Sequence, residues 1–154
     1  MQPRTVRIGI VAALLLAALP LLRAAEPAAQ QLTGKVVPLG PLLEKLNARM
    51  DKESAPHWLA LQTDDGKIHP LVKDDGSRMF FKDDQLLNRP MRLTARQVGD
   101  TPFFQVFQVH SLLKGKLHEV YYWCDVCSIK RFEKRDCECC GAPMEFRETP
   151  LTEK

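Results

Sequence analysis

All five cysteines of this 154-residue chain fall between positions 124 and 140. Two C-x2-C pairs can be drawn, Cys124 with Cys127 and Cys137 with Cys140, with nine residues between the pairs. A C-x2-C turn places two sulfurs on one side of a tight loop. Two such loops facing each other supply the tetrahedral four-thiolate set that Zn²⁺ accepts, with Zn–S near ~2.3 Å. The gap is long enough for an antiparallel excursion that returns the second loop over the first. Gly141, directly after Cys140, allows a tight backbone turn in which amide hydrogens approach the thiolates, and Ser128 holds the equivalent place after the first pair. Cys139 is a fifth thiol: an alternative ligand, or a free thiol open to oxidation or to transient capture of Cu(I).

Other chemistries of clustered thiols make different demands. A disulfide framework normally distributes an even number of cysteines over the fold, and here none lies outside the cluster. A dithiol redox site needs an exposed pair of lowered pKa, usually at a helix N-terminus in a larger α/β setting, and no such pattern surrounds either pair. A structural metal site suits a short tail with too little apolar surface for its own core, since Zn²⁺ supplies roughly 10–16 kcal/mol to zinc-finger peptides at neutral pH. His118 is a poor substitute ligand, because six strand residues put it roughly 20 Å from Cys124. Lys130, Arg131, Lys134 and Arg135 lie between the pairs. They could offset the formal −2 charge of a Zn²⁺ tetrathiolate, meet an acidic partner, or simply solvate a hairpin tip.

The residues Tyr122-Trp-Cys-Asp-Val-Cys and Cys137-Glu-Cys-Cys-Gly-Ala-Pro-Met resemble the two knuckles of a zinc ribbon, over residues 117–148. An aromatic before the first Cys and Cys-Gly-x-Pro-Met after the last is also similar to the short heavy-metal-binding domains attached to bacterial metal-export components. Where those domains usually carry His in the first knuckle, Cys127 stands here. Rubredoxins share two Cys-rich knuckles and bind iron, but with a much longer separation. The resemblance therefore implies Zn²⁺ at Cys124, Cys127, Cys137 and Cys140, with Fe or Cu(I) as alternatives.

The preceding chain must position this segment, and it reads as mainly β. Thr33 to Leu39 reads as a strand, and Pro41 to Met50 as a short helix with Leu42, Leu43, Leu46 and Met50 on one side. Asp64-Asp65-Gly66 between two strand-like runs is a hairpin signal. Asp83 to Asn88 reads as one or two helical turns with an Asp cap. Met91, Leu93 and Ala95 alternate with Arg92, Thr94 and Arg96, the period of a strand covered on one face, and Phe103 to His110 reads as another strand. The order of three strands, a short helix and two strands resembles a small five-stranded OB-like barrel over residues 32–116, although another small barrel or a sandwich would show the same order. Phe80, Phe81, Phe103, Phe104 and Phe107 are expected in its core. The doublets Asp64-Asp65, Asp74-Asp75 and Asp83-Asp84 do not match the twelve-residue calcium loop and are read as turn residues. His57, His69, His110 and His118 are scattered with no neighbouring nucleophile motif.

An address precedes the barrel. Residues 1–25 run from Arg4 and Arg7 through apolar Ile8 to Leu22 into Arg23-Ala24-Ala25, the layout of a secretory signal peptide, or of an anchor at residues 8–22 if left uncut. No cysteine follows the apolar run to accept a lipid. Residues 26–31 then read as a linker and 149–154 as a flexible tail. Lys and Arg number 22 against 19 Asp and Glu, and without residues 1–25 the charges balance. A neutral body lacks the net positive field that drives non-specific nucleic-acid binding, although a local patch could still exist, and export removes most nucleic acid from reach. The sequence thus reads as an exported, periplasmic or secreted, non-enzymatic metal-binding accessory protein with an exported or membrane protein as partner. Heavy-metal trafficking and thiol redox chemistry are the alternatives.

Overall fold

The computed structural model describes residues 27–152, so the signal peptide or anchor expected at residues 1–25 lies outside the described residues. The chain is mainly β. Its strands are β1 (Gln30–Pro38), β2 (Leu59–Thr63), β3 (Ile68–Pro70), β4 (Pro90–Gln97), β5 (Phe104–Leu113), β6 (Lys116–Cys124), β7 (Ile129–Arg131) and β8 (Glu145–Pro150). They form one antiparallel sheet in the order β3-β2-β1-β4-β5-β6-β7, with β8 also paired to β6. Curvature brings the end of β3 to the start of β5, where Leu71 and Phe104 form a parallel bridge and the Val72 amide donates to the Phe104 carbonyl at 2.9 Å. The first five strands thereby follow the order 1-2-3-5-4-1 of a partly open OB-like barrel.

Local chemistry explains the joints. Gly66 takes φ of +82° in the β2–β3 turn, where Asp65 accepts from Thr63 and Lys67. Between β3 and β4 lie two 3-10 turns, Arg78–Phe81 and Asp84–Leu86, the second capped by Asp83, which accepts from the Gln85 amide. Gly76 packs against the barrel so closely that a Cβ there would lie 1.8 Å from the Val106 carbonyl oxygen. Met91, Leu93 and Ala95 of β4 are wholly buried, as their alternation requires.

Three expectations are corrected. The helix expected from Pro41 to Met50 is only Leu39–Glu44 (α1). Asn47, at φ of 61°, stops it: its amide donates to the Glu44 carbonyl and that of Ala48 to Leu43, the paired bonds of a Schellman end. Leu46 beyond this stop is 68% exposed rather than part of an apolar face. Phe107 is not a core residue. The β4–β5 register steps from Thr94↔Gln108 to Ala95↔Val106, leaving Phe107 as the extra residue of a bulge that turns it outward toward Arg96.

The cysteine hairpin is also more closely joined to the barrel than a tail would be. Lys114 and Gly115, at φ of 49° and 77°, make a tight turn that carries β5 into β6. Strand β6 opens at Lys116 and pairs with β5, and β8 runs to Pro150. Val120 and Tyr122 of β6 belong to the same buried cluster as Leu61, Phe80 and Leu93, with Met144 and Phe146 packed against it.

Candidate metal centre

Strand β6 delivers Cys124, which is 1% exposed at its end. The chain then reverses through Asp125-Val126-Cys127, with Ser128 at φ of 53°, and β7 returns along β6. The second turn is built the same way. Asp136 bridges to Pro143, the Cys137 amide donates to the Ala142 carbonyl at 2.8 Å, and the Gly141 amide, at φ of 71°, donates to the Cys137 carbonyl at 2.8 Å. From there β8 runs back along the other edge of β6, antiparallel to it. Ser128 and Gly141 therefore occupy equivalent left-handed positions, one after each pair.

These turns bring the sulfurs of Cys124, Cys127, Cys137 and Cys140 within 4.8 Å of one another, and those of Cys124 and Cys140 to 3.6 Å. A regular tetrahedron with metal–sulfur bonds of ~2.3 Å has edges of about 3.8 Å, so the donor set fits a tetrahedral ion with small side-chain adjustments. Cys139 is exposed and is not one of the four. His118 lies in β6 opposite Ser111, and none of the four histidines joins the cluster.

The thiols do not share one environment. Backbone amides of Cys140 and Cys139 point at the Cys137 sulfur and hold its pKa down to about 6. Cys124 receives the Cys127 amide, but burial and hydrogen bonds shared with Cys137 and Cys140 push its pKa up overall. Cys127 is also pushed well up, by hydrogen bonds shared with Cys139 and Cys140 and by burial. These sulfurs compete for few donors, so the Cys137 thiolate forms readily while Cys124 and Cys127 keep their protons; a cation removes that competition. Cys124 and Cys137 are buried, whereas Cys127 is partly and Cys140 largely open to solvent.

The charges of the intervening loop go to particular partners. Arg131 pairs with Glu138 at 3.0 Å, and Lys130 with Glu119 at 2.7 Å. Lys134 reaches Asp83 at 3.4 Å, while Arg135 meets Glu133 at 3.2 Å and Glu138 at 2.7 Å. Sequence reasoning found Asp83 as a turn cap but missed its distant partners Tyr122 and Lys134, and it missed the contact of Glu133 with Lys82. The joining of barrel and hairpin did have a signal, Lys114-Gly115 between two strand-like runs.

No family model, curated protein or solved structure matches the chain.

Proposed function

We propose that this chain is an exported, non-enzymatic accessory protein in which Cys124, Cys127, Cys137 and Cys140 hold a structural Zn²⁺ in a zinc-ribbon-like hairpin, while the barrel binds another exported or membrane protein. The observation that carries the metal part is the convergence of four thiol sulfurs within 4.8 Å, on two turns of matching construction. Sulfur donors in a tetrahedral array favour Zn²⁺, with Fe and Cu(I) next by softness. Export is supported by the basic, apolar and small-residue order of residues 1–25. Clustering of every thiol in the hairpin supports metal over disulfide staples.

A second reading, heavy-metal trafficking, is favoured by the exposure of Cys140 and Cys139, which leaves one side of the site approachable by a partner's thiols.

Elemental analysis with parallel thiol counting on the purified chain, without chelator or added metal, tests the proposal. One zinc per chain with one readily reactive thiol supports the structural site. Absence of metal, with thiols recovered only after reduction, would replace it with a disulfide reading. Rapid loss of the metal to a competing thiol would favour trafficking.

A further inference from the structure

The loop between the two cysteine turns leans on the barrel. Glu133, whose side chain is only 15% exposed, lies 3.3 Å from Lys82 and 3.7 Å from Arg78, both in the segment between β3 and β4. The next residue, Lys134, reaches the buried Asp83 carboxylate, which also receives the Tyr122 hydroxyl at 2.7 Å from β6, two residues before Cys124. On the cysteine side, Arg135 joins Glu133 to Glu138, which sits between Cys137 and Cys139. Phe132, 54% exposed, lines a cavity of about 370 Å³ together with Gly76, Met79 and Phe107.

We infer that the tetra-cysteine site and the 78–86 segment behave as one coupled unit, so that metal occupancy controls how firmly this segment is docked and whether the Phe132 wall of the cavity is in place. The inference rests on the metal-binding reading above. Residues 132–136 run from the end of β7, which is paired to β6, to Cys137. An ion that fixes the Cys137 end as well removes further freedom from the loop, so less entropy remains to be lost when Glu133 and Lys134 meet the barrel. The linkage is reciprocal: whatever factor the metal contributes to docking, docking contributes to metal affinity. Because Arg78, Lys82 and Lys134 are each about half exposed, the pairs are individually modest. The coupling is accordingly about threefold to tenfold in affinity.

Hydrogen exchange on the full chain, with Zn²⁺ bound and after removal by a chelator, tests this once metal content has been measured. The amides of Lys82, Asp83 and Leu86 are bonded within the 78–86 segment and that of Phe80 to Ser77 just before it, so all four report its docking. Removing metal is expected to speed their exchange while β2 amides stay unchanged. Glu133→Gln, which leaves all four sulfurs intact, is expected to weaken Zn²⁺ binding threefold to tenfold and to make exchange at 78–86 indifferent to metal. Glu145→Gln, whose partner Arg147 lies within the hairpin, should match the wild type in both. Exchange at 78–86 that ignores metal in the wild type while the cysteine turns respond would overturn the coupling alone. So would wild-type affinity in Glu133→Gln. A chain that takes up no Zn²⁺ overturns the metal reading, and the coupling with it.

Discussion

Tyr122 donates its hydroxyl to Oδ2 of Asp83 at 2.7 Å, joining the strand that carries Cys124 to the turn that precedes β4. Both side chains are buried, at 1% and 4% exposure. Burial opposes the charge on Asp83, but hydrogen bonds from Tyr122 and Gln85 and the nearby Lys134 outweigh it and hold the carboxyl below its usual range. The same burial, reinforced by the Asp83 charge, pushes the Tyr122 phenol far above its ordinary value. One carboxylate thereby caps a turn, anchors β6 and receives the inter-cysteine loop.

Tyr122→Phe keeps the ring and removes the donor, leaving a buried carboxylate short of a partner. The expected loss is about 1.5–3 kcal/mol in denaturant unfolding, the range for a hydrogen bond to a charged group. The pH dependence follows from the directions of the two shifts. Asp83 has a folded pKa below its unfolded value, so its contribution is complete above ~3.9 and is lost as pH falls through the folded value. Tyr122 has a folded pKa above its unfolded value, so stability declines once pH passes ~10 and only the unfolded phenol ionises. Tyr122→Phe should therefore flatten the alkaline decline. Wild-type stability together with an unchanged alkaline limb would show that the bond contributes nothing.

Gly76→Ala tests how rigidly the β3–β4 segment is seated on β5. The new methyl would stand 1.8 Å from the Val106 carbonyl oxygen, a backbone atom that cannot rotate aside. Either the turn around Ser77 lifts or β5 shifts, at a cost of about 1–3 kcal/mol. Thermal unfolding measures this directly, and a melting temperature equal to the wild type would mean that the close approach is readily relieved.

What could be read from the sequence was local. The alternation of Met91, Leu93 and Ala95 reports a one-sided strand because pleat and burial share a period of two. The two C-x2-C turns were legible for a similar reason, since spacing alone puts paired sulfurs on one side of a loop. Leu46 shows where that reasoning stops: helical spacing identifies a face but not whether a surface exists to receive it, and Asn47 ends the helix first. Alternation alone does not place Phe107, because a bulge depends on the partner strand's register. The contacts of Asp83 with the hairpin and of Glu133 with the barrel come from tertiary placement, which no single-sequence period encodes.

Serine substitutions separate ligands from bystanders. Cys124→Ser or Cys140→Ser removes one of four converging donors and should abolish stoichiometric metal, loosening the two turns first. Because Val120 and Tyr122 belong to the common core, β6 should stay paired to β5 and the barrel should remain folded. Cys139→Ser should keep one metal per chain and eliminate the readily reactive thiol of the metal-bound protein. Metal loss in Cys139→Ser with retention in Cys140→Ser would exchange their assignments.

Acid should release the metal, and the steepness of release should report the thiols. In the metal-free site Cys137 ionises at about 6, while Cys124 and Cys127 hold their protons above the ordinary thiol value. At neutral pH an incoming cation finds the Cys137 thiolate ready and must displace at least the protons of Cys124 and Cys127. Apparent affinity should therefore rise with pH by at least about two decades per unit between pH 6 and 8. Below pH 6 Cys137 is also protonated, which adds about one further decade per unit. The sign is fixed: protons compete with the ion, so affinity falls as pH falls. Chelator competition from pH 5 to 8 measures the slope, and a flat profile would exclude ligation through these thiolates.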